Sequence, residues 1–110
     1  YVQNQIDAIL FALKHLPNNN EYLIGHSIEV LANIYIYLLR IRVHRPELEP
    51  RAWDYAREYY NMFTTKLDTK ELLEETFNEI VSVTIENQLP HLRGHIVDMT
   101  FHDFLNILEA

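Results

Sequence analysis

Apolar residues recur along this chain at spacings of three and four, the period of a helix rather than of a strand, in five successive segments. Val2, Ile6, Ile9, Leu10 and Leu13 predict a helix over about residues 2–16, with Gln3, Asp7 and Lys14 on its other side. Pro17 and Asn18-Asn19-Asn20 stop it. A second helix is expected to begin near Asn18, which stands three residues before Glu21 as in a capping box, and to end before Pro46. Its body, about residues 20–44, is Ile, Val, Leu, Ala and Tyr nearly all round, with Glu29, Asn33, Arg40 and His44 gathered on one narrow line. A helix apolar on most sides is buried on most sides. The alternation in Ile34-Tyr35-Ile36-Tyr37 also fits a strand, but the helical clustering of the polar residues favours helix.

A third helix is expected from Pro50 at the first-turn position, with Glu49 as its cap and Trp53, Ala56, Tyr60, Phe63 and Leu67 facing inward. Asp68 and Glu71 have capping-box spacing before Leu72-Leu73 and open a fourth. Its expected buried face is Leu73, Phe77, Ile80 and Thr84, opposite an acidic face of Glu71, Glu74, Glu75, Glu79 and Glu86. The alternating stretch from Val81 to Ile85 leaves its last turns open to an extended form, and Pro90 ends or bends it. A fifth helix is expected over residues 91–108. Val97, Phe101, Phe104, Leu105 and Leu108 form its inner stripe, with Leu92, Ile96 and Met99 on an adjoining face. Short connections make neighbouring helices antiparallel. The expected fold is an all-α compact bundle of about five antiparallel helices, a single helical domain over residues 1–110, with the second helix central.

Composition supports this and narrows the function. A chain of 110 residues with 48% hydrophobic residues holds one core. Two glycines and four prolines are few for a fold of many tight turns. The absence of cysteine excludes disulfides and thiolate metal sites and suits a cytoplasmic, soluble protein. The formal charge of −7 opposes binding to nucleic acid and to anionic membrane surfaces. Residues 30–39, the most apolar run, are about half the length that spans a bilayer. The chain begins at Tyr1 rather than Met, as a trimmed chain or a piece of a longer one would, and no signal-peptide pattern is expected there.

Few residues suggest chemistry. His91, His95, Asp98 and His102 are spaced four, three and four apart, so a continuous fifth helix would carry them on one line. Imidazole and carboxylate are zinc ligands, although the H-E-x-x-H arrangement is absent and a solvated helix face explains the same spacing. His102-Asp103 is a dipeptide used by metal-dependent phosphohydrolases, without the further ligands such enzymes require. His26-Ser27 lacks the glycine-flanked elbow of a hydrolase nucleophile. Arg40, Arg42, His44, Arg45 and Arg51 gather at the end of the second helix. They form a candidate site for phosphate or acidic peptide, although the negative end of a helix dipole attracts cations there in any case. Tyr35, Tyr37, Tyr55 and Tyr59 are candidate interface residues, because tyrosine offers an apolar ring with a polar tip.

The expected function is therefore non-catalytic: a helical interaction or regulatory module that needs no cofactor and binds a protein partner or itself. The apolar circumference of the second helix suggests an open flank that a homodimer would close. The alternative is a metal-binding protein or metal-dependent hydrolase using His91, His95, Asp98 and His102. The far-ultraviolet circular dichroism spectrum should be that of a helical protein. A spectrum dominated by strand would point to residues 34–37 and 81–85.

Overall fold

The computed structural model describes residues 21–66 and 72–110 and is all-α. In chain order the described elements are α1 (Glu21–His44), a 3-10 turn (Pro46–Leu48), α2 (Glu49–Lys66), α3 (Leu73–Gln88), a 3-10 segment (Pro90–Asp98) and α4 (Phe101–Glu109). The helix expected over residues 2–16, the caps expected at Asn18, Asp68 and Glu71, and Leu67 all lie outside the described residues.

α1 follows from its composition. Ile28, Val30, Leu31, Ala32, Ile34, Tyr35, Ile36, Leu38, Leu39 and Ile41 are all buried, so the helix is covered around most of its circumference. The line Glu29, Asn33, Tyr37, Arg40 and His44, spaced four, four, three and four apart, reaches solvent along its length, and Gly25, His26, Arg42 and Val43 are exposed toward its two ends. The stretch 34–37 is helical, not extended. Among the described residues of α1 the large apolar side chains that stay exposed are Tyr37 and Val43. α2, α3 and both 3-10 elements pack against this helix.

α2 opens at Glu49, with Pro50 in its first turn, where a missing N–H costs nothing. It buries Trp53, Ala56, Tyr59, Tyr60 and Phe63. α3 buries Leu73, Phe77, Val81 and Ile85, a strict i, i+4 row. Ile80 and Thr84, expected inside, are half-buried. The row that packs is set by the neighbour, α1, and selects one of the two apolar lines the sequence offers. Val81 and Ile85 belong to that helical row, so the last turns of α3 are not extended.

The largest departure is at the C-terminal end. Residues 91–108 do not form one helix. Pro90–Asp98 is 3-10, Met99 is extended, and α4 starts afresh at Phe101. Thr100 and Asp103 form a capping box: the Thr100 hydroxyl accepts from the Asp103 N–H at 3.2 Å, and the Asp103 carboxylate accepts from the Thr100 N–H at 3.1 Å. A new helix start is thereby satisfied internally. Three residues per turn in place of 3.6 rotate the face of the preceding segment. Leu92 is fully buried, while Val97, placed in the core by an α-helical phase, is 77% exposed.

α4 locks the bundle with aromatic rings. Phe104 lies 5.2 Å from Tyr35 of α1, 5.8 Å from Trp53 of α2 and 5.7 Å from Phe77 of α3, centroid to centroid. Phe101 lies 4.8 Å from Phe77, with the ring planes tilted by 54°. Two polar ties reinforce this: Arg57 donates to the Ile107 carbonyl at 3.3 Å, and Tyr60 to the Glu109 carboxylate at 3.0 Å. Phe104→Ala should therefore cost about 3–5 kcal/mol in chemical denaturation. Val97→Ser should stay within about 0.5 kcal/mol of the parent, as exposed positions do. Equal losses at the two positions would restore the single-helix arrangement of residues 91–108.

Candidate functional site

The basic corner divides when its residues are placed. Arg42 faces α2: its Nε donates to Glu49 Oε2 at 2.7 Å and its guanidinium lies 6.0 Å from the centre of the Trp53 ring. Trp53 Nε1 donates to the same carboxylate oxygen at 3.0 Å. Partial burial alone would raise the Glu49 carboxyl, but the bonds from Trp53 and Arg42 outweigh it and hold the group below its ordinary range. Glu49 is thus an anchor between α1 and α2, not a cap. Arg45 donates to Glu47 at 2.7 Å on the open surface, where water screens the pair. Arg40 and Arg51 are exposed and make no ion pair among the described residues. Two of the four arginines therefore carry their own counter-charge.

The tyrosines divide as sharply. Tyr35 and Tyr59, expected at an interface, are 1% and 0% exposed and belong to the chain's own core. Each phenol finds a backbone acceptor: Tyr35 donates to the Met99 carbonyl and Tyr59 to the Ser27 carbonyl, the latter at 2.8 Å. Sequence reasoning missed this because a tyrosine buried with an internal acceptor has the same spacing as one at an edge. Tyr55 is half-buried. Tyr37 alone of the four stands out, 37% exposed in the middle of the polar ridge of α1.

The C-terminal histidines do not share a line, because the break at Met99 and Thr100 separates them. His95 pairs with Asp98 at 3.6 Å within the 3-10 segment. His102 reaches across to Glu74 of α3 at 3.3 Å. His91 faces a different residue altogether, His44 at the end of α1, with ring centres 6.2 Å apart. Among the described residues no group of three or more His, Asp or Glu could hold a metal ion. Asp103 of the His102-Asp103 dipeptide is occupied in the capping box. Ser27 is fully buried and its hydroxyl has no hydrogen-bond partner among the described residues, while His26 is exposed beside Glu29 at 3.4 Å. A buried hydroxyl with its neighbouring imidazole turned to solvent lacks the base that nucleophilic catalysis requires.

Among the described residues no helix is long and apolar enough to cross a membrane. The acidic face of α3 is as expected for Glu74, Glu75, Glu79 and Glu86, all exposed, and Glu71 lies outside the described residues. No protein-family model, curated protein or solved structure matches the chain.

Burial sets the titration of the core phenols. Desolvation pushes Tyr35 up to about 12, helped by the negative charge of Asp103 and opposed by Arg42. Desolvation, with the Glu109 carboxylate adding to it, also pushes Tyr60 up to about 12. Tyr59 is raised by burial as well. Their folded values lie above the unfolded value of about 10, so the stability they contribute is complete below that pH. It is lost as pH rises toward 12. In an alkaline titration followed by phenolate absorbance, a late-ionising fraction should appear together with loss of helical signal, and Tyr35→Phe should shrink it. Complete ionisation with the helices intact would show that these rings are not buried as described.

Proposed function

We propose that the chain is a non-catalytic helical module that binds another protein through the exposed ridge of α1. Tyr37 carries the reading: it is an aromatic ring left open to solvent on a helix whose other apolar side chains are nearly all covered. Tyrosine and arginine are the residues most often at the energetic centre of protein contacts. Arg40, one turn further along the same line, has no ion pair among the described residues and is available to a partner's carboxylate. Asn33 and Glu29 on one side and His44 on the other extend the ridge with polar groups of the kind that rim an interface. The helix beneath is fixed by packing along its length, so little ordering entropy opposes binding.

The partner class follows from charge. With a net charge of −7 the chain is ill suited to nucleic acid or an anionic membrane surface. A protein partner is favoured, with a second copy of the chain as one such partner, and a cytoplasmic setting suits the absence of cysteine.

A photo-crosslinking residue at position 37, compared with one at the more exposed position 97, tests the ridge in extract from the native source. The expected result is a discrete adduct from position 37 that disappears when Arg40→Glu is added, with none from position 97. Light scattering on the purified chain separates a second copy from a different protein. Adducts from position 97 and none from position 37 would place the interface elsewhere and overturn the proposal.

A further inference from the structure

We propose that His44 and His91 form a two-imidazole clasp for a borderline divalent metal ion such as zinc or nickel, joining the end of α1 to the start of the Pro90–Asp98 segment. The two rings come from elements far apart in sequence and meet with centroids 6.2 Å apart and planes 54° to one another. With a metal–nitrogen bond of about 2.0–2.1 Å and roughly 1.1 Å from nitrogen to ring centre, two imidazoles on one ion hold their centres about 5–6.3 Å apart. The observed spacing lies at the wide end of that range, about 1 Å beyond the tetrahedral value, so the ion requires rotation of the rings and an approach of about 1 Å. Both residues are exposed, which leaves the ion an entry path.

The chemistry separates this pair from the other described histidines. His26, His95 and His102 each face a carboxylate, Glu29, Asp98 and Glu74 respectively. Imidazole suits zinc, copper and nickel, whereas carboxylate oxygen suits magnesium, calcium and manganese. A pair of imidazoles thus selects the first group. Only two protein ligands are present, so water completes the coordination and the ion exchanges readily. Arg40 lies one turn before His44 on the same face, and its positive charge weakens the site.

Zinc chloride and nickel chloride, titrated into the full chain, test the clasp, with the histidine ring signals followed by nuclear magnetic resonance. The expected result is saturable binding in the tens-of-micromolar range, with a rise in thermal midpoint on adding zinc. His44→Ala and His91→Ala should each abolish it, while His15→Ala, His26→Ala, His95→Ala and His102→Ala retain it. Arg40→Ala should tighten it by about threefold at low salt, because a neighbouring like charge is removed. The mutated side chains at positions 44 and 91 are on the surface, and an unchanged circular dichroism spectrum confirms that each variant folds. Binding that survives His91→Ala, that follows His15 or His95 instead, or that magnesium reproduces at equal concentration overturns the proposal.

Discussion

A helix that is apolar around nearly its whole circumference must be covered on every side but one, and that requirement on α1 organises the described structure. α2 and α3 each present a row of large side chains to it, and the segment after Pro90 follows because one side still needs cover. Tyr35 sits where these surfaces meet. Its ring contacts Phe77 of α3 and Phe104 of α4, each at 5.2 Å, and its hydroxyl donates to the Met99 carbonyl. A buried phenol without an acceptor is costly, so the hydroxyl needs a free carbonyl nearby. Met99 supplies one because its extended backbone sits between two helical segments and its carbonyl has no place in either ladder. The same carbonyl inside a continuous helix would be spent on the residue four positions on.

The break in the C-terminal segment thus has causes on both sides. Locally, Pro90 starts the 3-10 turns and the reciprocal bonds of Thr100 and Asp103 start α4. In the tertiary structure, Leu92 and Met99 are buried where the 3-10 segment packs on α1 and α3, and Phe101, Phe104 and Leu108 are buried where α4 packs on α2. The sequence displays these as two adjoining apolar faces. A single straight helix shows both faces to one neighbour only at the cost of a wide apolar surface. Changing the helical phase at Met99 lets each face meet its own neighbour.

What could be read from residues alone follows from this. The helical nature of α1, α2 and α3 was legible because apolar period and polar clustering agreed, and Trp53, Ala56, Tyr60, Phe63, Leu73 and Phe77 are buried where the period puts them. Val97 and the line His91, His95, Asp98 and His102 misled because both rest on carrying one phase across residues 91–108. Thr100 and Asp103, three apart, were the available sign of a restart, with Asp in place of the more usual Glu or Gln. The candidate interface and basic residues were less legible for a different reason. Whether Tyr35 or Tyr37 reaches solvent, and whether Arg42 or Arg40 is neutralised, depends on which side of α1 meets Trp53 and Glu49, and that is settled only by tertiary packing.

The surface that remains after this packing is the part of the molecule free to interact, and its two proposed features share an element. The ridge of α1 ends at His44, and His44 is half of the clasp. A divalent ion held there adds positive charge one turn from Arg40, in a region where Arg42 and Arg45 are already matched by Glu49 and Glu47. It also holds the last turn of α1 against the 3-10 segment, a stretch whose hydrogen-bond geometry is intrinsically poorer than that of an α-helix. Both effects act in one direction on an acidic partner surface docking at Tyr37 and Arg40: the local potential becomes more favourable, and the end of the ridge becomes more rigid. Linkage then requires the reverse, that such a partner tightens the hold on the ion. The coupling is modest, since the site is exposed and salt screens it within about 10 Å. Its sign follows from the order of residues along one face of one helix.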